Sequence, residues 1–185
     1  ALMDNTTGNN NTAIGRWALE SNTTADNNTA VGHNSMWANT TGAENVAVGY
    51  AALDANTTAG ENTAIGFQAL TANTTGAYNT GVGRNSLVAV TTGDNNTAVG
   101  RGSLASITTA DDNTAVGKNA LNSNTASYNT AVGLHALFAN TTGANNIAVG
   151  YAALDSNTTG GYNNAVGQNS LGANTTGNYN VAMGQ

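Results

Sequence analysis

Residues 113–133 read NTAVGKNALNSNTASYNTAVG and hold the phrase Asn-Thr-Ala-Val-Gly twice, closing at Gly117 and Gly133. These two glycines lie 16 residues apart, whereas every other successive pair of phrase-ending glycines is separated by 17. Aligned on that glycine, the chain resolves into eleven copies of one unit, N-T-A-V-G-x-x-A/S-L-x-x-N-T-T-G/A-x-x, from Gly15 to Gly184. The residue before the glycine is Val or Ile in ten copies and Met183 in the last. An Asn stands four residues before it without exception: Asn11, Asn28, Asn45, Asn62, Asn79, Asn96, Asn113, Asn129, Asn146, Asn163 and Asn180.

A fixed short period is the signature of a repeat architecture, and 17 residues are too few for a helical hairpin but suit one coil of a β-solenoid. The spacing therefore predicts an all-β parallel solenoid of eleven coils, one domain spanning residues 1–185. Each T-A-V-G is expected to be a short strand paired with its copies above and below. At about 4.8 Å per coil such a stack is a rod about 50 Å long. The A/S-L half of the unit fits either a second short strand or one helical turn. The invariant Asn is expected to form a buried structural ladder, since stacked amides donate and accept along the axis. The missing residue falls in NTASYN, outside both the strand and the A-L segment, where a turn absorbs a deletion without reversing strand faces.

In T-A-V-G the Thr and Val share one face, and the Ala and the ladder Asn share the other. Neither face carries charge, so the second one calls for a cover, most simply the same sheet of a neighbouring chain. A homo-oligomer is expected.

The residues also carry a resemblance. N-T-A-V-G followed by A-L and N-T-T-G is similar to the repeats of long phage tail fibres and other extracellular fibre proteins, and to the head repeats of YadA-like trimeric autotransporter adhesins. The resemblance covers the whole chain, although the A-L and N-T-T parts depart from the adhesin pattern. It implies a left-handed β-roll wound as a homotrimer and displayed outside a cell, at its surface or on a virion. The chain opens within a unit at ALMDNTTG and shows no divergent terminal repeat, which fits the shaft of a longer fibre.

Composition narrows the function classes. With four basic residues and a net charge of −6, the chain is poorly suited to a phosphate backbone, so nucleic acid is not an expected partner. No apolar run is long enough for membrane insertion as a helix. There is no Cys, and no cofactor motif or metal spacing appears; His33 and His135 stand six coils apart. No nucleophile with a base recurs, so an enzyme is not expected.

All four cations fall just after the glycine, and Arg84, Arg101 and Lys118 do so in consecutive coils. The same lane holds His33, Tyr50, Phe67, Leu134 and Gln168, a mixture that only an outward position tolerates. This basic row is a candidate ligand-facing lane for an anionic cell-surface glycan, unless Asp94, Asp111 and Asp112 in nearby turns neutralise it. Trp17, Trp37, Tyr78, Tyr128, Tyr162 and Tyr179 occupy variable positions suited to sugar stacking, turn capping or a seam between chains. Eleven Asn-x-Thr triplets, at Asn5, Asn10, Asn22, Asn27, Asn39, Asn56, Asn73, Asn95, Asn140, Asn157 and Asn174, are either glycan acceptors or turn residues. The function expected is that of a structural fibre or adhesin segment for surface attachment. The alternative is ice binding through a flat Thr face, weakened because Val46, Ile147, Asn164 and Val181 interrupt the Thr lane.

Overall fold

A computed structural model describes all residues, 1–185. Eleven three-residue strands, from β1 (Thr12–Ile14) to β11 (Val181–Met183), form one parallel sheet in chain order. Each strand pairs with the next in register, Thr97 with Thr114, Ala98 with Ala115 and Val99 with Val116 in the middle of the rod. Hydrogen bonds alternate up and down the axis: the Thr97 N–H donates to the Asn113 carbonyl and the Gly100 N–H to the Val82 carbonyl, both at 2.8 Å. The fold is thus a β-solenoid, as its period requires.

The strand stops one residue short of the expected four because the phrase-ending glycine leaves the β region. Gly100 has φ 135°, which side-chain-bearing residues rarely adopt, and a Cβ there would lie 2.6 Å from the backbone carbon of Gly117. Ten of the eleven coils, from Gly15 to Gly167, repeat that close approach, and all eleven glycines share the positive φ, which explains the invariance of this glycine.

The A/S-L half forms neither of the elements open to it from sequence. It is a run of turns in which the Leu itself is left-handed, with φ 49° at Leu104 and 51° at Leu121. Left-handed backbone costs an ordinary residue about 1–3 kcal/mol. Burying a Leu side chain returns about the same, about 1.5–3 kcal/mol. The Leu column, from Leu19 through Met36 to Leu154, is fully buried and stacks on the equally buried strand alanines. The outward strand residues stay half exposed, Val99 at 37 %. The Ala and ladder Asn therefore face inward and the Thr and Val outward, as the alternation requires.

The Asn ladder works differently from a simple amide stack. Asn96 Oδ1 accepts the backbone N–H of Asn113 at 3.1 Å, and the same step recurs from Asn11–Asn28 to Asn163–Asn180. Its Nδ2 crosses the coil interior to donate to the Ala110 carbonyl at 2.9 Å. Direct amide-to-amide bonds occur only at some levels, such as Asn113 Nδ2 to Asn96 Oδ1 at 3.1 Å. The side chain thus ties a strand end both to the next coil and to the turn opposite.

A second ladder faces the first. The Asn of N-T-T is buried in the interior coils: Asn39 Nδ2 donates to Asn22 Oδ1 at 3.2 Å and to the Gly42 carbonyl at 2.9 Å. Beside it, the first Thr of most coils donates Oγ1 to the same Thr carbonyl of the next coil, Thr40 to Thr57 at 3.0 Å. Asn22, Asn39, Asn56, Asn73, Asn140 and Asn157 are fully buried, so six of the eleven Asn-x-Thr triplets are closed to glycosylation in the folded rod. Asn5, Asn10, Asn27 and Asn95 remain exposed.

The short coil loses its residue in the turn. Asn124 Nδ2 donates to Ala126 O, two residues on instead of three, at 2.6 Å. Asn129 Nδ2 then donates to Asn124 Oδ1 at 3.3 Å, linking the two ladders directly. The strand side is undisturbed: Thr114 pairs with Thr130 and Val116 with Val132, and the first ladder passes Asn113–Asn129–Asn146 at 3.0 and 2.9 Å. The Thr column is what breaks, its run stopping at Thr108 and resuming at Thr125.

Two predictions follow from this interior. Inserting Thr after Thr125 should move stability by no more than about 0.5 kcal/mol, as surface changes do. Inserting a residue between Ala131 and Val132, which reverses one strand, should abolish cooperative melting, and thermal denaturation of both variants checks the pair. The second concerns Val90 and Ile107, which replace the second ladder's Asn in adjacent coils and leave Asn73 Oδ1 buried without a partner. V90N alone should cost about 1.5–3 kcal/mol, since it forfeits the burial of the Val side chain while one carbonyl stays orphaned, now facing Ile107. Adding I107N restores the ladder and should recover most of that loss in chemical denaturation.

Candidate functional site

Two columns flank the inward-pointing Ala/Ser and Leu and send their side chains outward. One lies two residues after each glycine and the other five after. In most coils they carry small or amide residues, but in the first three they carry Trp17, Asn34, Glu20, Trp37 and Asp54. These five line a hollow of about 270 Å³. Trp17 and Asn34 reach it from left-handed backbone, φ 60° and 58°, which turns their side chains away from the coil interior.

The hollow is preorganised along the axis. Glu20 Oε2 accepts the indole N–H of Trp37 from the next coil at 2.9 Å. Asp54 lies one coil further on, and its backbone carbonyl accepts the Ala38 N–H at 3.1 Å. Asp54 Oδ1, Asn34 Oδ1 and the neighbouring His33 Nδ1 are buried without partners. Burial pushes the Asp54 carboxyl above its usual range, and the electrostatic influence of the nearby His33 ring partly opposes that shift. The walls are two half-exposed indoles, Trp37 at 45 %, and the polar groups are two carboxylates and an amide. Indole walls with two carboxylates and an amide at their edges make an arrangement that can bind a ligand.

A lane of rings runs beside it, Trp17 meeting His33 edge-on and His33, Tyr50 and Phe67 stacked face to face. Trp17, His33, Tyr50 and Phe67 follow one another with centroids 5.1, 5.4 and 5.2 Å apart, near the rise of one coil. Cations close both ends: the Arg16 guanidinium lies 3.7 Å over Trp17, and that of Arg84 lies 5.4 Å from the Phe67 centroid.

Arg84, Arg101 and Lys118 are all exposed, in the outward lane that their mixed company indicated. Of the three nearby acids, Asp94 and Asp111 are engaged with backbone, whereas Asp112 is exposed on the surface. Asp94 Oδ1 accepts the Ala77 N–H and Asp111 Oδ1 the Asp94 N–H, each at 2.7 Å, so these carboxylates cap turns. The tyrosines also sit on turns: Tyr78, Tyr128, Tyr162 and Tyr179 are exposed on left-handed backbone, and Tyr162 stacks on Tyr179 at 5.0 Å. No three His, Asp or Glu side chains converge as a metal site would require.

Sequence reasoning singled out the two tryptophans but did not join them to Glu20, Asn34 and Asp54. The signal was present in the alignment, because Glu20, Trp37 and Asp54 occupy one column in successive coils. Comparison with protein-family models, curated proteins and solved structures found no match to this chain.

Asp54 makes a test of the hollow's electrostatics. Its raised carboxyl pKa means that the folded state holds the proton more tightly than the unfolded chain, so ionisation of Asp54 costs stability as pH rises through the folded value. That cost is absent below the unfolded value. D54N should therefore raise the melting temperature at pH 7 and leave it nearly unchanged at pH 3, as differential scanning calorimetry at the two pH values would show.

Proposed function

We propose that this chain is a structural, non-enzymatic fibre segment, a stiff rod that spaces or presents binding surfaces outside a cell or on a virion. The observation that carries this reading is the unbroken in-register pairing of eleven strands built from one repeat. Every coil bonds only to its neighbours, so the repeat extends in one dimension and presents the same columns along its length. Resemblance to tail-fibre and adhesin repeats supports the same role.

The outward Thr and Val columns form an uncharged face running the length of the rod, with Ile65 and Val116 at 40 % and 38 % exposure. A face of this kind favours association, and three chains meeting about one axis cover it on every protomer. The assembly is a parallel homotrimer. The basic row Arg84, Arg101 and Lys118 then stays exposed to an anionic cell-surface glycan, with Asp94 and Asp111 held in turn caps and Asp112 on the surface nearby.

V99E together with V116E tests the assembly without entering the coil interior. Sedimentation should find three chains in the unmodified protein and one in the variant, with the β-sheet circular dichroism preserved in both. A monomeric unmodified protein would overturn the trimer. Thermal hysteresis in the same preparation would favour an ice-binding face instead, which the Thr lane's four interruptions argue against.

A further inference from the structure

The hollow between Trp17 and Trp37 has a chemistry that the fibre reading does not use. Its charged lining is wholly acidic, Glu20 and Asp54, and its walls are indoles, whose faces are electron-rich. The Arg16 guanidinium, from the preceding residue, lies 3.7 Å over Trp17 in a cation–π contact. Glu20 spends one carboxylate oxygen on the Trp37 indole N–H and fixes that ring. Asp54 has no hydrogen-bonded partner for Oδ1, and burial makes its charge costly. A cation seated between the rings would offset that cost.

We propose that Trp17, Glu20, Asn34, Trp37 and Asp54 form a binding site for a compact organic cation, an alkylammonium group such as a trimethylammonium headgroup. A volume of about 270 Å³ accommodates such a group with part of its chain. A spherical, weakly hydrated ammonium contacts indole faces without the hydrogen bonds that a primary ammonium would forfeit, and the two carboxylates supply the countercharge. Anionic ligands are repelled by the same pair. The inference stands on the geometry of the first three coils and holds whether or not the rod is trimeric.

Trp17 and Trp37 are the only tryptophans in the chain, so intrinsic indole fluorescence reports on this site alone. The experiment titrates the intact chain with choline, with its uncharged isostere 3,3-dimethylbutan-1-ol, and with neutral methyl hexopyranosides. Choline should give a saturable change in emission, and the isostere should bind roughly tenfold more weakly, since the shape is kept and the charge removed. E20Q and D54N should each weaken choline binding severalfold while circular dichroism shows an intact solenoid. Indifference of the emission to choline, equal binding of the isostere, or saturable binding of a methyl hexopyranoside in place of choline would overturn the proposal. Choline affinity unchanged in both E20Q and D54N would overturn it as well.

Discussion

One backbone carbonyl in each coil holds the cross-section together. The residue that ends N-T-T-G/A presents its carbonyl to the interior, where two amides from opposite columns reach it. Gly42 O accepts Asn28 Nδ2 at 2.8 Å and Asn39 Nδ2 at 2.9 Å; Gly160 O accepts Asn146 and Asn157 in the same way, at 2.8 and 2.9 Å. Both lone pairs of a buried carbonyl are thereby satisfied, and the strand end and the far turn are fixed at a set separation. Leaving such groups unpaired would cost about 1–3 kcal/mol each. This clamp limits the coil's width, which is why the rest of the interior has room only for Ala, Ser and a Leu folded back on left-handed backbone.

The clamp also accounts for what the sequence disclosed. Strand, stacking direction and the opposite facing of Ala and Val follow from a period-two alternation inside a 17-residue period, both visible in N-T-A-V-G, whereas which face turns inward is read from burial. The site of the deletion was legible for the same reason, since only a turn lets Thr114 and Thr130 stay paired across a shortened coil. The Leu conformation was hidden because propensity assigns Ala-Leu to helix or strand. At Leu104, φ 49° is imposed by the coil around it and not by the residue. The second ladder was hidden by its own composition: Asn-Thr-Thr reads as a turn or as a glycan acceptor, and only closure of the coil shows Asn39 and Asn56 to be interior.

The candidate hollow illustrates a different limit. Repeat analysis rewards what is constant, and the hollow is built from what varies. Glu20, Trp37 and Asp54 share a column in which Thr71, Val88 and Ala105 also stand, so no consensus marks it. What makes it a site is adjacency along the axis, where residues 17 apart in sequence lie about 4.8 Å apart in space. In a solenoid, chemistry therefore has to be sought down the columns as well as along the chain.

The clamp is incomplete in three consecutive coils. Val90 and Ile107 remove one amide from each of two, and the third is the shortened one, where Ala126 O is met at two residues' distance by Asn124. The Thr column fails at the same place, between Thr108 and Thr125. A stack of coils carries tension in series, so an axial pull is borne equally by every junction and the poorest one yields first. In this rod that junction lies near the middle of the chain. Under load it parts into two blocks, each still clamped by paired asparagines, so that extension begins as a defined step in the centre and not as fraying from an end.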